Sequence, residues 1–247
     1  MTYKMIRIAL TIVLASFGLN SAWAAACSNA SLSGTYGFLH DGTDSNGTPF
    51  TAAVSQITFD PITGTFAGET VASHDGVIAF APLSGTYAVA SNCTGTGIPS
   101  GGSPFSIVVT TKGFLALHLF SEGFAIQQGS PICTNAGVQG SFGFQATGVL
   151  AGAPTPAVAF IGELEFTVNS SGGGVISGYV SASEDGTFAA EPVTGFYTVD
   201  RNCRGIADIT PRGQPRMHFR LVIVDGGNEM LAVETDAGTV VSGTLRR

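Results

Sequence analysis

Charged residues are scarce in this sequence. Lys, Arg, Asp and Glu make up 11% of the 247 residues, against about 25% in a typical soluble domain. The formal net charge is −7, whereas nucleic-acid binding needs clustered Lys and Arg to neutralise phosphates. We therefore predict no nucleic-acid partner. The basic residues concentrate late in the chain, but acidic residues from Glu184 to Asp236 are interspersed with them. This mixture predicts a solvated surface of mixed charge.

The sequence signatures of catalysis are also missing. There is no G-x-S-x-G, no H-E-x-x-H, no P-loop and no dinucleotide-binding G-x-G-x-x-G between a strand and a helix. Glu163 and Glu165 fall on one face of a predicted strand, which is typical of the solvent side of a sheet. We predict no catalytic residues, no cofactor and no metal site.

Histidine is represented by only four residues. His40 and His74 are each followed by Asp in segments that look like turns, so we predict that both are exposed. His118 lies between two Leu residues in a predicted strand and faces either side of its sheet, and His218 lies in another predicted strand. None has a histidine at the matching position of the internal repeat described below, so a site common to both copies cannot use histidine.

The N-terminus is typical of a targeting segment. Lys4 and Arg7 precede an apolar run over Ile8–Leu19, and "AWA" at positions 22–24 fits a signal-peptidase site. We predict a Sec-type signal peptide over 1–24 and a secreted or periplasmic mature protein of bacterial type. The apolar run is shorter than the about 20 residues of a membrane span, and no transmembrane segment is predicted after cleavage. Lipid anchoring at Cys27 is disfavoured because Ala24 stands where a lipobox usually has Leu.

An internal duplication accounts for most of the chain. "CSNASLSGTYGF" at Cys27 is repeated as "CTNAGVQGSFGF" at Cys133, and "SGTYAVASNCTG" at Ser84 is repeated as "TGFYTVDRNCRG" at Thr194. The period is the size of a small domain and much longer than that of a solenoid repeat. We predict two tandem domains over 25–131 and 132–247.

The four cysteines fall into the same two copies. Export implies an oxidising compartment, where cysteines pair. The simplest pairing is one bridge per repeat, Cys27 with Cys93 and Cys133 with Cys203, although pairing across the repeats is an alternative. A metal or redox role is disfavoured because no C-x-x-C is present.

Apolar and polar residues alternate along most of the mature sequence. Leu32, Gly34, Tyr36 and Phe38 share one face of a predicted strand, and no mature segment has a helical period. Turn residues separate about eight such strands in each copy, with links too short for parallel crossovers. The predicted fold class is all-β: two tandem antiparallel β-barrels, or barrel-like sandwiches, of about eight strands each.

Short motifs in these strands resemble known barrel families. "LSGTYGF" is similar to the Gly-x-aromatic opening of lipocalin and avidin-type (calycin) barrels, with Tyr36 or Phe142 in place of their usual Trp. The Gly-rich, low-charge strands resemble the allene oxide cyclase barrel, and the paired "SGTY" and "NCTG" motifs are similar to secreted bacterial proteins of unknown function. No catalytic position of these families can be matched to a residue here.

These observations favour an exported, non-enzymatic tandem-barrel protein that acts as a binding or surface-interaction module. Its candidate partners are a small apolar ligand and a cell-surface component. An eight-stranded barrel can hold a small ligand, and a lumen filled by side chains is the alternative. The candidate ligand-lining residues are Tyr36, Phe38, Tyr87, Phe142, Phe144 and Tyr197.

Two other functions stay open. Low charge and abundant Gly and Thr also suit a structural or adhesive component of the cell envelope. An enzyme would need a site within one domain or between the two, with His118, Glu122 and the segment Arg212–Arg220 as the first residues to consider.

Overall fold

The protein consists of two closed β-barrels. The computed structural model describes residues 26–43, 49–118, 121–130, 133–150 and 156–247. Its sixteen strands pair antiparallel into two barrels of eight, which confirms the predicted all-β class with two tandem barrels. The predicted signal peptide over 1–24 and the predicted boundary at 131/132 lie outside the described residues.

The first barrel contains eight strands in sequential order, closed by pairing of its first and last strands. Their bounds are β1 Gly34–Thr43, β2 Pro49–Asp60, β3 Thr65–His74, β4 Val77–Val89, β5 Thr94–Pro99, β6 Phe105–Val109, β7 Gly113–His118 and β8 Ser121–Gln127.

The second barrel repeats this order and closure. Its strands are β9 Gly140–Leu150, β10 Ala157–Val168, β11 Gly174–Glu184, β12 Thr187–Val199, β13 Arg204–Pro211, β14 Met217–Val224, β15 Glu229–Glu234 and β16 Thr239–Arg246. Each barrel is preceded by one turn of 3-10 helix, at Asn29–Leu32 and Asn135–Val138; we call these the plug helices.

Side chains alternate between the lumen and the outside of each barrel, as the sequence pattern predicted. In β1, Tyr36 and Phe38 point into the lumen and pack on its aromatic cluster. Leu39, between Phe38 and His40, packs instead in a cluster shared with the second barrel. Alternate residues of each strand therefore either fill the core of their own barrel or face its outer surface.

One disulfide closes each repeat. Cys27 is bonded to Cys93 and Cys133 to Cys203, with Cα–Cα distances of 4.9 and 4.8 Å, so the predicted pairing is the one present. Each bond joins the segment before a plug helix to the turn that follows β4 or β12. Cys93 and Cys203 both have positive φ, 67° and 62°, so the duplication extends to a backbone conformation that side chains disfavour.

The two barrels pack against each other through an apolar interface. It is formed by outward-facing residues of both barrels, including Leu39, Val54, Val222, Leu231 and Val233. At its edges, Gln128 Nε2 donates to the carbonyl of Ile223 over 3.1 Å, and Ser242 Oγ donates to Asp41 Oδ1 over 2.6 Å. The second barrel therefore uses one part of its outer wall to bind the first.

Strand β15 is buried on both faces because it lies between the core of the second barrel and the interface with the first. Met230 and Ala232 belong to the core of the second barrel, whereas Leu231 and Val233 belong to the interface. All six residues of Glu229–Glu234 are buried. The prediction of a solvated mixed-charge surface is therefore wrong for Glu229 and Glu234, because a strand enclosed on both sides has no solvent face.

Candidate functional site

Each lumen is closed at one end by its plug helix. Asn29 Oδ1 accepts a hydrogen bond from the backbone N–H of Val89 over 2.8 Å, and Tyr87 donates its hydroxyl to the Asn29 carbonyl over 3.1 Å. In the second barrel, Asn135 makes the same two contacts with Val199 and Tyr197, both over 2.8 Å. Asn29 and Asn135, which align in the two copies, thus fix the plugs, a role that the sequence analysis missed.

A layer of aromatic rings lies above each plug. In the first barrel Phe59 makes edge contacts with Tyr36, Tyr87 and Phe114, with centroid distances of 5.6, 4.9 and 5.5 Å. Burial, followed by the nearby Asp60 carboxylate, raises the pKa of Tyr87 to about 12. Its phenol therefore keeps its proton and its hydrogen bond to the plug across the physiological pH range.

The second barrel repeats this aromatic layer. Phe166 makes edge contacts with Phe142 and Tyr197 at 5.3 and 4.9 Å, and burial raises the pKa of Tyr197. Four of the six predicted ligand-lining residues (Tyr36, Tyr87, Phe142 and Tyr197) thus belong to the closed ends. The structure places the other two, Phe38 and Phe144, in the walls of cavities.

The cavity of the first barrel has a volume of about 300 Å³. Its walls are mostly apolar and include Phe38, Ile57, Leu83 and Phe105, with two imidazoles, His40 and His118. The prediction that His40 is exposed in a turn is wrong: it lies within β1 and faces the lumen. Burial, followed by the charge of His118, lowers the pKa of His40, so this lumen carries a neutral imidazole at pH 7.

The second barrel encloses a larger cavity, of about 820 Å³. Buried residues such as Phe144, Val193 and Phe219 form its walls, and exposed hairpin residues such as Asp185 and Gln214 form its rim. It therefore opens at the end opposite the plug. Its volume is within the range of about 300–1,000 Å³ that is usual for small-molecule sites.

Glu234 is the most unusual side chain in this second lumen. It lines the cavity with only 4% of its surface exposed. Its Oε2 atom has no hydrogen-bond partner among the residues that the structure describes. Burial, followed by the charge of the neighbouring Asp236 carboxylate and a hydrogen bond shared with it, raises the pKa of Glu234 to about 8. No signal in the sequence marks this group, because Glu234 ends the apolar run of β15 and both faces of that strand are apolar.

Asp236, at the rim of this cavity, is paired with a histidine. Its Oδ1 lies 2.6 Å from His218 Nδ1, and its Oδ2 accepts from the backbone N–H of His218 over 2.8 Å. His218 lies in β14, as predicted, on the opposite face from Met217, which lines the cavity. The pair therefore holds Asp236 in place beside Glu234 without placing an imidazole in the lumen.

The residues considered first for an enzyme do not meet. His118 faces the first lumen, whereas Glu122 is exposed on β8 next to the cavity-lining Ser121. Arg216 is at the rim of the second lumen, 3.6 Å from Asp208. Arg220 is on the outer wall, with its guanidinium 5.3 Å from the centroid of Phe80 in the other barrel.

A third depression lies between the barrels. It has a volume of about 350 Å³ and is lined by residues of both, including Glu69, Phe80 and Arg204. Arg204 pairs with Glu69 across the interface and with Asp200, 3.2 Å away, in its own barrel. The two carboxylates of this groove therefore share the guanidinium of Arg204, whereas Arg220 lies over the Phe80 ring.

Among the residues that the structure describes, no group of three or more His, Cys, Asp or Glu side chains has an arrangement that would hold a metal ion. None of the helices found in that part of the chain is both long enough and apolar enough to cross a membrane.

Comparisons with known proteins give no assignment. No protein-family model and no curated protein matches the chain. A solved structure of a protein of unknown function from the DUF3598 family, from Nostoc punctiforme PCC 73102, matches with 10% identity over 88% of this chain and 97% of that chain, at a TM-score of 0.26. A TM-score this low does not establish a shared fold. The barrel fold rests on the strand pairing alone, and membership of the calycin or allene oxide cyclase families is not supported.

Proposed function

We propose that this is an exported, non-enzymatic binding protein whose barrels hold small, largely apolar molecules in their lumens. The observation that carries the proposal is the cavity of about 820 Å³ in the second barrel, apolar along its walls and closed at one end by a plug. A barrel that served only as a structural unit would gain stability from filling this space with side chains. The two disulfides fit an oxidising, extracytoplasmic environment.

Native mass spectrometry of the mature protein, purified from its own host, tests the proposal directly. We expect the native mass to exceed the denatured mass by the mass of a small organic molecule. A second measurement uses the neutral dye N-phenyl-1-naphthylamine, which fluoresces in apolar sites.

Two single substitutions in β11 test whether the dye binds inside the cavity of the second barrel. Ala182 lines the cavity and its neighbour Ser181 faces outward and is exposed. We expect Ala182→Trp to abolish most of the fluorescence increase, because the indole fills the lumen, and Ser181→Trp to preserve it. An unchanged response in both variants, or no dye binding and no extra mass in the unaltered protein, would contradict the proposal.

A further inference from the structure

Glu234 is fixed in the lumen of the second barrel by strand register. β14 and β15 pair so that Phe219 is opposite Glu234. Phe219 belongs to the core of this barrel, as do Met230 and Ala232, which precede Glu234 on the same face of β15. The carboxyl group therefore points into the cavity, and rotation to solvent would require β15 to leave either the barrel or the interface.

A carboxyl group in this position is costly for the free protein. Removing a polar oxygen from water without a hydrogen bond destabilises the folded state, and Oε2 of Glu234 has no partner among the described residues. The same oxygen lines a cavity large enough for a small molecule. An unsatisfied acceptor at such a place is a contact that a ligand can complete.

The charges around Glu234 favour one sign of ligand. The Asp236 carboxylate is the charged group that acts on Glu234, and His218 pairs with Asp236. The nearby turn of the first barrel, which carries His74 and Asp75, contacts the same loop through a 2.8 Å hydrogen bond from Gly238 N to the Gly76 carbonyl. Four acidic residues and one basic residue complete the charged lining of the cavity: Glu184, Asp185, Glu191, Asp236 and Arg216. Because Arg216 is itself paired with Asp208, the opening presents a net negative charge.

We propose that the lumen of the second barrel binds amphiphilic organic amines, with the ammonium group at Glu234 and Asp236 and the apolar part along Phe144, Val193 and Phe219. This inference rests on the proposed function, since it names the class of ligand that the same lumen takes. The ammonium group supplies N–H donors to the unpaired carboxyl oxygen. An anionic amphiphile meets the acidic rim, and a neutral one leaves the rim charges without a counterion.

The first barrel lacks this feature. Its equivalent position is His118, and among the described residues that line its cavity the other ionisable group is His40. Neither is an anion, so we assign the selectivity for amines to the second lumen.

Calorimetric titration with three probes of one chain length tests the inference: decylammonium, decan-1-ol and decanoate, each below its critical micelle concentration. We expect decylammonium to bind about tenfold or more tightly than decan-1-ol, the advantage of a hydrogen-bonded charge in a buried site, and decanoate to bind most weakly. Glu234→Gln should remove most of the amine preference and leave decan-1-ol binding nearly unchanged. Glu163→Gln, the same change at an exposed position of β10 outside the cavity, should alter neither.

Proton release gives a readout that a purely structural role of Glu234 would not produce. At pH 7 a carboxyl whose pKa is about 8 holds its proton in about nine molecules of ten, and pairing with an ammonium ion ionises it. Binding of decylammonium should therefore release close to one proton from Glu234 to the buffer, measured from titrations in buffers of different ionisation enthalpy. The release should disappear in Glu234→Gln.

The outcomes separate the two proposals. If decan-1-ol binds as well as decylammonium and no proton is released, the amine inference is wrong and lumen binding stands. If none of the three probes binds, both are wrong. Decanoate binding more tightly than decylammonium would also overturn the amine inference.

Discussion

His118 of the first barrel and Glu234 of the second occupy the same position in the duplicated fold. Leu117 is paired with Ser106, and Val233 with Arg220, so the next residue of each strand is opposite Phe105 or Phe219. Both side chains line a cavity. The two repeats thus share the direction of a lumen side chain but differ in its chemistry, an imidazole in one and a carboxyl in the other. Two barrels of one design can in this way receive different ligands.

The buried carboxyl of Glu234 should make stability depend on pH. Its pKa is about 8 in the folded protein and near 4.3 in an unfolded chain. Between these values the unfolded state loses its proton first, so the free energy of unfolding falls as pH rises, by up to roughly 4–5 kcal/mol in total. Urea denaturation of wild type and Glu234→Gln at pH 5, 7 and 9 measures this.

The two proteins should have similar stability at pH 5, and the variant should become the more stable one as pH rises. Asp236→Asn is the control: it leaves Glu234 buried but removes the neighbouring carboxylate, so it should weaken the pH dependence without abolishing it. Parallel curves for wild type and Glu234→Gln would show that Glu234 ionises normally.

His40, which lines the first lumen, should titrate abnormally. Burial and the charge of His118 lower the pKa of His40, so the folded state resists a proton that the unfolded state accepts. Stability from this group is therefore lost as pH falls below about 6.5, the unfolded value. In NMR we expect the Cε1–H resonance of His40 to have a titration midpoint below about 6.5. In His118→Gln this midpoint should rise towards that value. His74→Gln, which alters an exposed histidine outside the cavity, should leave it in place, and an ordinary His40 midpoint in wild type would contradict the assignment.

Alanine substitutions at Gly37 and Gly143 would test whether the two barrels stay packed together as one rigid unit. The two glycines occupy the same position in the two repeats. A Cβ on Gly37 would lie 2.5 Å from Val224 Cγ1 of the other barrel, whereas a Cβ on Gly143 would meet only the Arg246 carbonyl at 3.6 Å.

Gly37→Ala should therefore destabilise the protein by about 1–3 kcal/mol through overpacking. Gly143→Ala should be neutral or stabilise it by about 0.4–1 kcal/mol. Urea denaturation followed by circular dichroism measures both. Equal effects would mean that the barrels separate easily in solution.

The sequence contained most of the fold. Period-two strands, the repeated Cys27 and Cys133 motifs and the short links were enough to predict two barrels and both disulfides, because those features depend on local patterns and on the duplication. The chemistry of the lumens could not be predicted from these local patterns. Which face of β15 is inside follows from how the second barrel packs on the first, and no pattern within "EMLAVE" distinguishes a lumen carboxyl from a solvated one. His40 was misplaced for a similar reason: the Asp and Gly that follow it lie within β1.

The disulfide between Cys27 and Cys93 should stabilise the protein, and its contribution can be measured separately from the backbone strain at Cys93. It closes a loop of 66 residues, for which loss of chain entropy in the unfolded state predicts about 4 kcal/mol. Replacing both with alanine should cost that amount in urea denaturation. Cys93 also has φ of 67°, a conformation in which glycine avoids a penalty of about 1–2 kcal/mol. The variant with Cys27→Ala and Cys93→Gly should therefore recover about 1 kcal/mol over the double alanine variant. A recovery of zero would mean that the turn changes conformation when the disulfide is absent, and the plug would then depend on the disulfide for its position as well as its stability.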